Sequence, residues 1–434
     1  MDTPHHVIVI GAGPKGISLA AKVHALKKAK IPAPKLTVVD YQGPAAHWAG
    51  VLKKYTDGSQ ALSGSPLKDV GFPYGSQVWD GLGLPPVEGA TSRDSAVDYA
   101  MLDFSWQAYL IASRRGPHNR FADWVDRGAI PPTLKEWANY LEWVITKSKC
   151  GVDRREVKRI SVSDGEWDLT MDKGDNIRGT GLVITGPGPI RHLPGYDPKS
   201  HPPAATDAEN FWSHLEGVTN VPPNKVFAII GSGGAAASVA LALLQNVRSD
   251  FRLEILTPDG VIYSRGESYD ENRHYSDPDA WRSFDDKSKK KFNEHTSAGV
   301  FALDAKRALS SAYNLETRSA DVEGIKVWKK TGGVSVYLKS GVTRHYERVI
   351  IAWGFDGLWW TPLLDSSLLG RLPMTDRGEV DLREIKSGIG ENLELRNFDP
   401  PLHLPMLAEM EGPGFPSLMS LGLLSDRILM PYAR

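Results

Sequence analysis

Val7-Ile8-Val9-Ile10-Gly11-Ala12-Gly13-Pro14-Lys15-Gly16 decides how this chain folds. Four β-branched residues in a row suit a strand buried on both faces. The loop behind them, with Pro14 inside it, runs into the small-residue helix Ile17-Ser18-Leu19-Ala20-Ala21-Lys22-Val23. Gly11 permits the tight turn, Gly13 lets the backbone approach a pyrophosphate, and Gly16 lets helix and strand pack closely. The helix N-terminus then presents free N–H groups and a positive dipole end to phosphates. A second strand, Lys35-Leu36-Thr37-Val38-Val39, ends on Asp40. That acid falls roughly 20 residues past the loop, where a carboxylate binds ribose hydroxyls.

The pattern returns half a chain later. Val226-Phe227-Ala228-Ile229-Ile230 leads into Gly231-Ser232-Gly233-Gly234 and another helix, with Ala236 or Ala237 in place of the third glycine, a replacement the fingerprint tolerates. One such loop is weak evidence. Two imply two dinucleotides, and a chain that holds two passes electrons from a nicotinamide to a flavin, so FAD is expected at the first loop and NAD(P)H at the second. The expected fold class is α/β, with two Rossmann-like dinucleotide-binding domains, the second inserted into the first. A connector containing Pro202, Pro203, Pro222 and Pro223 precedes the second loop and marks a boundary. Residues 1–200 are expected to form the first part of the FAD domain and 201–355 the NAD(P)H domain. Residues 356–434 should return to the FAD domain and complete the active-site wall.

Composition narrows the partners. The 434 residues carry a formal net charge of -1, which gives no support to a nucleic-acid or anionic-membrane partner. Lys287-Ser288-Lys289-Lys290-Lys291 reads as a solvated helix face. The one cysteine, Cys150, excludes an intrachain disulfide and fits a reducing compartment. No apolar run reaches the ~18 residues that span a bilayer, and the opening segment reads as a cofactor strand rather than a signal peptide. A cytoplasmic protein that uses no metal is the expectation.

Between the loops, Thr133-Leu134-Lys135-Glu136 has the form of a capping box. Leu134, Trp137, Leu141 and Val144 follow at helical spacing and should face the core. Gly181-Leu182-Val183-Ile184 reads as a buried strand ending in a sharp turn at Thr185-Gly186-Pro187-Gly188. From Tyr41 to Asp98 the chain is rich in Gly, Pro and Ser and reads as long loop, functional by its length.

Five islands resemble the flavin-dependent N-hydroxylating monooxygenases, the lysine and ornithine N-hydroxylase family. His47-Trp48-Ala49-Gly50-Val51-Leu52 is similar to that family's Trp-His-x-Gly-Met-Leu. Leu62-Ser63-Gly64-Ser65-Pro66-Leu67-Lys68-Asp69 is similar to its Met-Gln-x-Ser-Phe-x-Lys-Asp-Leu. Pro132 to Trp143 is similar to its Pro-Ser-Arg-x-Glu-Phe-x-x-Tyr-Leu-x-Trp. Ser268-Tyr269-Asp270-Glu271-Asn272 keeps the spacing of its Ser-Pro-Phe-x-Asn, and Ser417-Leu418-Met419-Ser420 resembles its Ser-Leu-Leu-Ser. Disulfide reductases of related architecture need a cysteine pair, which a lone Cys150 cannot supply. Asn210-Phe211-Trp212-Ser213-His214 does not match the Baeyer–Villiger signature.

The resemblance implies that NADPH reduces FAD, that dioxygen adds at the flavin C4a, and that the hydroperoxyflavin passes oxygen to an uncharged amine, in siderophore or other natural-product biosynthesis. It makes Lys68 and Asn272 binders of an amino-acid carboxylate, helped by Ser420. An ammonium suits a carboxylate as a point charge, and an amide can donate a second hydrogen bond. Trp48 and Ser63 would lie by the flavin, Ser63 standing where the family has Gln. Ser297 replaces an Asn that steadies the nicotinamide. Thr257 and Arg265 would take the 2′-phosphate of NADPH, while Asp259 leaves NADH open. The partner would be a small amine or amino acid, the family likeness also implying a homo-oligomer. The residues alone equally admit a monooxygenase attacking sulfur or carbon, or a flavoprotein that binds without turnover.

Overall fold

The computed structural model describes residues 5–48, 68–84, 87, 89–114, 119–199, 203–247, 249–297, 299–328 and 332–433. β1 (His6–Ile10) is the middle strand of a five-stranded parallel sheet with β2 (Lys35–Val39), β3 (Val152–Asp153), β7 (Gly181–Ile184) and β18 (Leu402–His403), in the order β18-β7-β1-β2-β3. Val7, Ile8 and Val9 are wholly buried, as an unbroken apolar run in the middle of a parallel sheet must be. Because β18 comes from the last part of the chain and pairs with β7, the C-terminal residues do return to the first unit.

A second five-stranded parallel sheet repeats the plan. It is built from β8 (Ala205–Asp207), β9 (Lys225–Ile230), β10 (Phe251–Thr257), β13 (Leu315–Ser319) and β17 (Arg348–Ile351), in the order β13-β10-β9-β17-β8. The repetition goes beyond the glycine loops. An antiparallel meander, β4 (Val157–Ser163), β5 (Glu166–Met171) and β6 (Ile177–Gly179), connects β3 to β7. A second meander, β14 (Val322–Val327), β15 (Val334–Leu338) and β16 (Thr343–Tyr346), connects β13 to β17 in the same place. A small pair, β11 (Tyr263–Arg265) with β12 (Val300–Ala302), flanks the second sheet. The two chains joining the units run side by side, with Arg191 N–H donating to Gly354 O at 3.0 Å and Asp356 N–H to Pro189 O at 2.8 Å.

Helix α1 (Pro14–Lys28) is buried on almost every side, under the C-terminal helix Leu421–Leu429, helix Arg93–Leu102 and helix Leu134–Lys147. It nevertheless carries Lys22 into the core, where the ammonium meets Asp426 at 2.6 Å. Asp426 also accepts from Ser76 Oγ at 2.8 Å and Trp79 Nε1 at 3.0 Å. These bonds order much of the stretch expected to be loop. Asp94 accepts from the N–H groups of Val78 and Trp79, and Asp98 from that of Ser76, so acids of one short helix cap the backbone before it. The capping box at Thr133 is only half formed. Thr133 Oγ1 accepts from Glu136 N–H at 3.2 Å, but the Glu136 carboxylate takes a bond from Arg120 at 2.6 Å and one from Tyr109. An ion pair outcompetes the return bond to the helix start.

Removing one member of a buried ion pair strands the other, at a cost of about 3–5 kcal/mol. Asp426→Ala should therefore lower the urea midpoint of the full chain by that amount of stability. Lys22→Met with Asp426→Leu should recover most of it.

Candidate active site

Each glycine loop ends at an uncapped helix. Gly13, with φ −80° and ψ −174°, precedes α1, and Gly233, with φ −87° and ψ −178°, precedes helix Gly234–Asn246; no side chain caps either N-terminus. Nothing lies within 4 Å of the position a Cβ would take at Gly13 or Gly233. The first glycines are the opposite case. A Cβ would sit 2.4 Å from Thr185 Oγ1 at Gly11 and 2.2 Å from Ala352 O at Gly231, both at positive φ, and one at Gly16 would sit 2.1 Å from Gly11 O. Close backbone packing thus holds an open concavity over the middle glycine and the free helical N–H groups, which is the shape and polarity a diphosphate needs.

Asp40 ends β2 beside the first loop, its Oδ2 accepting from Ala12 N–H at 2.8 Å and its Oδ1 from Gln42 N–H at 3.0 Å. The segment after it folds back onto the loop through Ala45 N–H to Ala12 O at 3.0 Å. Trp48 follows, edge-on to His47. Ser63 lies outside the described residues. At the second loop, Ser232 Oγ donates to Gly299 O at 2.7 Å. Thr257, at the end of β10, is buried with its hydroxyl unpartnered among the described residues, as befits a group awaiting a ligand hydroxyl or phosphate.

Lys68 and Asn272 stand 204 positions apart and meet, Lys68 Nζ donating to Asn272 Oδ1 at 2.6 Å. The amide's other end donates to Ser268 O at 2.8 Å, which fixes which way it faces. The sequence reading cast Asn272 as a donor to a carboxylate. In the structure its oxygen instead aims the ammonium, and a donor bond to ligand is left to the second Nδ2 hydrogen. The rings of Tyr275 and Phe72 lie 5.4 and 5.8 Å from the ammonium. Burial pulls Lys68 down to about 8, Glu271 opposing that shift and Arg265 adding to it.

The Lys68 stem is aimed by its neighbour. Asp69 is buried, accepts from Trp106 N–H at 2.8 Å, Gly71 N–H at 3.0 Å and the Tyr74 hydroxyl, and is pushed up to about 6 by burial. Gly422 N–H donates to Phe72 O at 2.7 Å, so the C-terminal helix closes over the same turn.

Ser420 is buried, and its hydroxyl donates to Tyr275 O at 2.6 Å. It therefore supports the ring over Lys68 from behind. Ser297 Oγ donates to Asn293 Oδ1 at 2.9 Å and Pro413 O at 3.3 Å. Arg265 ends β11, donates to Ser297 O at 3.2 Å and acts electrostatically on Lys68. It thus joins the Lys68 cluster. Sequence reasoning missed Tyr275, Phe72 and Asp69; only the position of Asp69, directly after Lys68, carried a signal. Among the described residues no group of three or more His, Cys, Asp or Glu is arranged to hold a metal, and no helix is long and apolar enough to cross a membrane.

Residues 101–309 match the L-lysine 6-monooxygenase/L-ornithine 5-monooxygenase family. The L-lysine N6-monooxygenase MbtG of Mycobacterium sp. (strain MCS) is 33% identical over 433 residues, covering 97% of this chain and 94% of that one. The chain belongs to this family. MbtG of Mycobacterium tuberculosis (strain ATCC 25618 / H37Rv) is 32% identical over 97% of this chain and 93% of its own. The solved structure of lysine monooxygenase NbtG from Nocardia farcinica superposes with a TM-score of 0.78 at 28% identity, over 98% of this chain and 100% of that one. Ornithine N-hydroxylase KtzI of Kutzneria sp. 744 shares the fold, with a TM-score of 0.69 at 19% identity, over 98% of each chain. This member of the lysine/ornithine monooxygenases is an FAD- and NADPH-dependent enzyme that hydroxylates an amine nitrogen. The two concavities fit those dinucleotides.

A carboxylate ligand needs Lys68 charged, and Lys68 loses its proton as pH rises through about 8. The inhibition constant of hexanoate, which has a carboxylate and no titrating amine, should be flat below that pH and rise tenfold per unit well above it. In Lys68→Arg, whose guanidinium stays charged, the rise should vanish.

Proposed function

We propose that this enzyme hydroxylates the side-chain nitrogen of L-lysine, holding the substrate by its α-carboxylate on Lys68 with Asn272 alongside. The observation that carries this reading is the Lys68–Asn272 bond at 2.6 Å, a half-buried charge with no ion-pair partner among the described residues. The relatives named as lysine monooxygenases support lysine over other amines. Gly11, Gly13, Pro14, Gly16 and Asp40 would hold FAD, with Trp48 and Ser63 beside it. Gly231, Gly233, Gly234 and Thr257 would hold NADPH. With both bound, the cofactors supply two electrons and activate dioxygen, so that one oxygen atom reaches the nitrogen and the other leaves as water.

The chain's own residues position and protect. Fixing the carboxylate sets where the far end of a four-methylene side chain falls, which converts binding into orientation. An ammonium cannot attack an electrophilic oxygen, so the side-chain nitrogen must react as the neutral amine, which a desolvated site favours. The buried ring of Tyr275 and the half-buried ring of Phe72 help exclude water from the carboxylate end. Ser297 and Ser420 brace the wall. A cytoplasmic setting, where NADPH is regenerated, accords with the single unpaired Cys150.

L-Lysine, L-ornithine and cadaverine should be compared by hydroxylamine formed, with peroxide measured separately. L-Lysine should give the highest kcat/KM, and a product stream of peroxide alone would refute the reading. Losing a charge-assisted bond costs about 10- to 100-fold. Lys68→Ala should raise KM for L-lysine by that factor and leave KM for cadaverine, which lacks the carboxylate, unchanged. An equal rise for both would show that Lys68 does not read the carboxylate.

A further inference from the structure

Helix α1 buries two lysines, and among the described residues only one of them has a counter-charge. Lys22 meets Asp426 at 2.6 Å. Lys15, on the first turn, is 5% exposed, and its ammonium has a single acceptor among the described residues, the Ser417 carbonyl at 2.7 Å. Two of its three N–H donors are left over, and no carboxylate among the described residues answers its charge. The location compounds the cost. A helix N-terminus carries partial positive charge, which disfavours a cation there, and α1 has no acid in its first turn to offset it. Burial pulls the Lys15 ammonium down to about 7. A charge kept under these conditions calls for an anion, and two residues earlier lies Gly13 with open space above it.

We infer that Lys15 is the counter-ion of the FAD diphosphate and that, through the Ser417 carbonyl, it links the loaded cofactor to the C-terminal wall. The glycine fingerprint contains no such residue; its phosphate contacts are backbone N–H groups and a helix end. Lys15 adds a full charge to them. It also makes cofactor binding a proton-linked step. In the unloaded chain the amine is partly neutral above pH 7; the arriving diphosphate favours the ammonium, so binding takes up a proton and tightens as pH falls from 9 to 7.

The test is a titration of the full chain, freed of flavin, with FAD, followed by quenching of flavin fluorescence. Lys15→Gln keeps a donor for the Ser417 carbonyl and loses the charge. Lys15→Arg keeps the charge. Lys15→Gln should weaken FAD binding by about 10- to 100-fold, flatten its pH profile and reduce its salt dependence, while Lys15→Arg retains most of the affinity. Riboflavin, which has no diphosphate, should bind both variants as it binds the unaltered protein. FAD affinity within about twofold of the unaltered protein in Lys15→Gln would overturn the inference, as would an equal loss of riboflavin, which would make Lys15 a structural bolt. Should the Gln variant fail to fold, the unaltered chain decides: FAD affinity that does not change between pH 7 and 9 also overturns it.

Discussion

A missing carbon atom shapes both halves of this enzyme. At Gly11 and Gly231 a Cβ would collide with Thr185 and Ala352 respectively, the residues that directly follow β7 and β17. Without that carbon, loop and strand close up at the point where strand order reverses, and the crevice left outside the strand ends becomes the ligand site. Every later feature inherits its position from this contact. Each crossover meander returns the chain to a strand that pairs directly with the glycine-loop strand, β7 with β1 and β17 with β9.

The substrate end is assembled differently, from pieces with no fold logic in common. Lys68 sits on an irregular turn, and Asp69 bonds that turn to the start of helix Trp106–Ala112. Asn272 belongs to a five-residue helix of the inserted unit, capped by Ser268. Ser420 stands before the last helix. None of these segments has a packed face large enough to place it alone, so side-chain to backbone bonds do the placing. The outcome is a half-buried cation balanced by an amide oxygen and aromatic faces.

Where the sequence spoke clearly, the signal was local. Strand periodicity, three glycines and an acid at the right interval lie within one supersecondary unit, and they specify the α/β plan without reference to distant residues; the inserted arrangement was read from the return of that pattern half a chain later. Lys68 and Asn272 were legible through the spacing of family-like motifs. The electrostatic link of Arg265 to Lys68 was not legible, because a strand end says nothing about which neighbour it meets. The half-formed capping box failed for a similar reason, since Arg120 captures Glu136 from another helix. The segment from Gly71 to Asp98 read as loop because its order comes from Asp94, Asp98 and Asp426 bonding to backbone and side chains, an arrangement with no period to detect.

The residues before the last helix also bind the inserted unit at several points. Trp281 Nε1 donates to Met410 O at 2.9 Å, Asn293 Nδ2 to Glu409 O at 2.9 Å, and Ser297 Oγ to Pro413 O at 3.3 Å, while Ser420 returns a bond to Tyr275 O at 2.6 Å. Two repeats of one architecture would ordinarily melt as two separate transitions. Here the tail of one repeat is laced into the helices of the other, so neither can lose its structure without loosening its neighbour. Duplication built the molecule as two modules; this lacing makes them a single cooperative body.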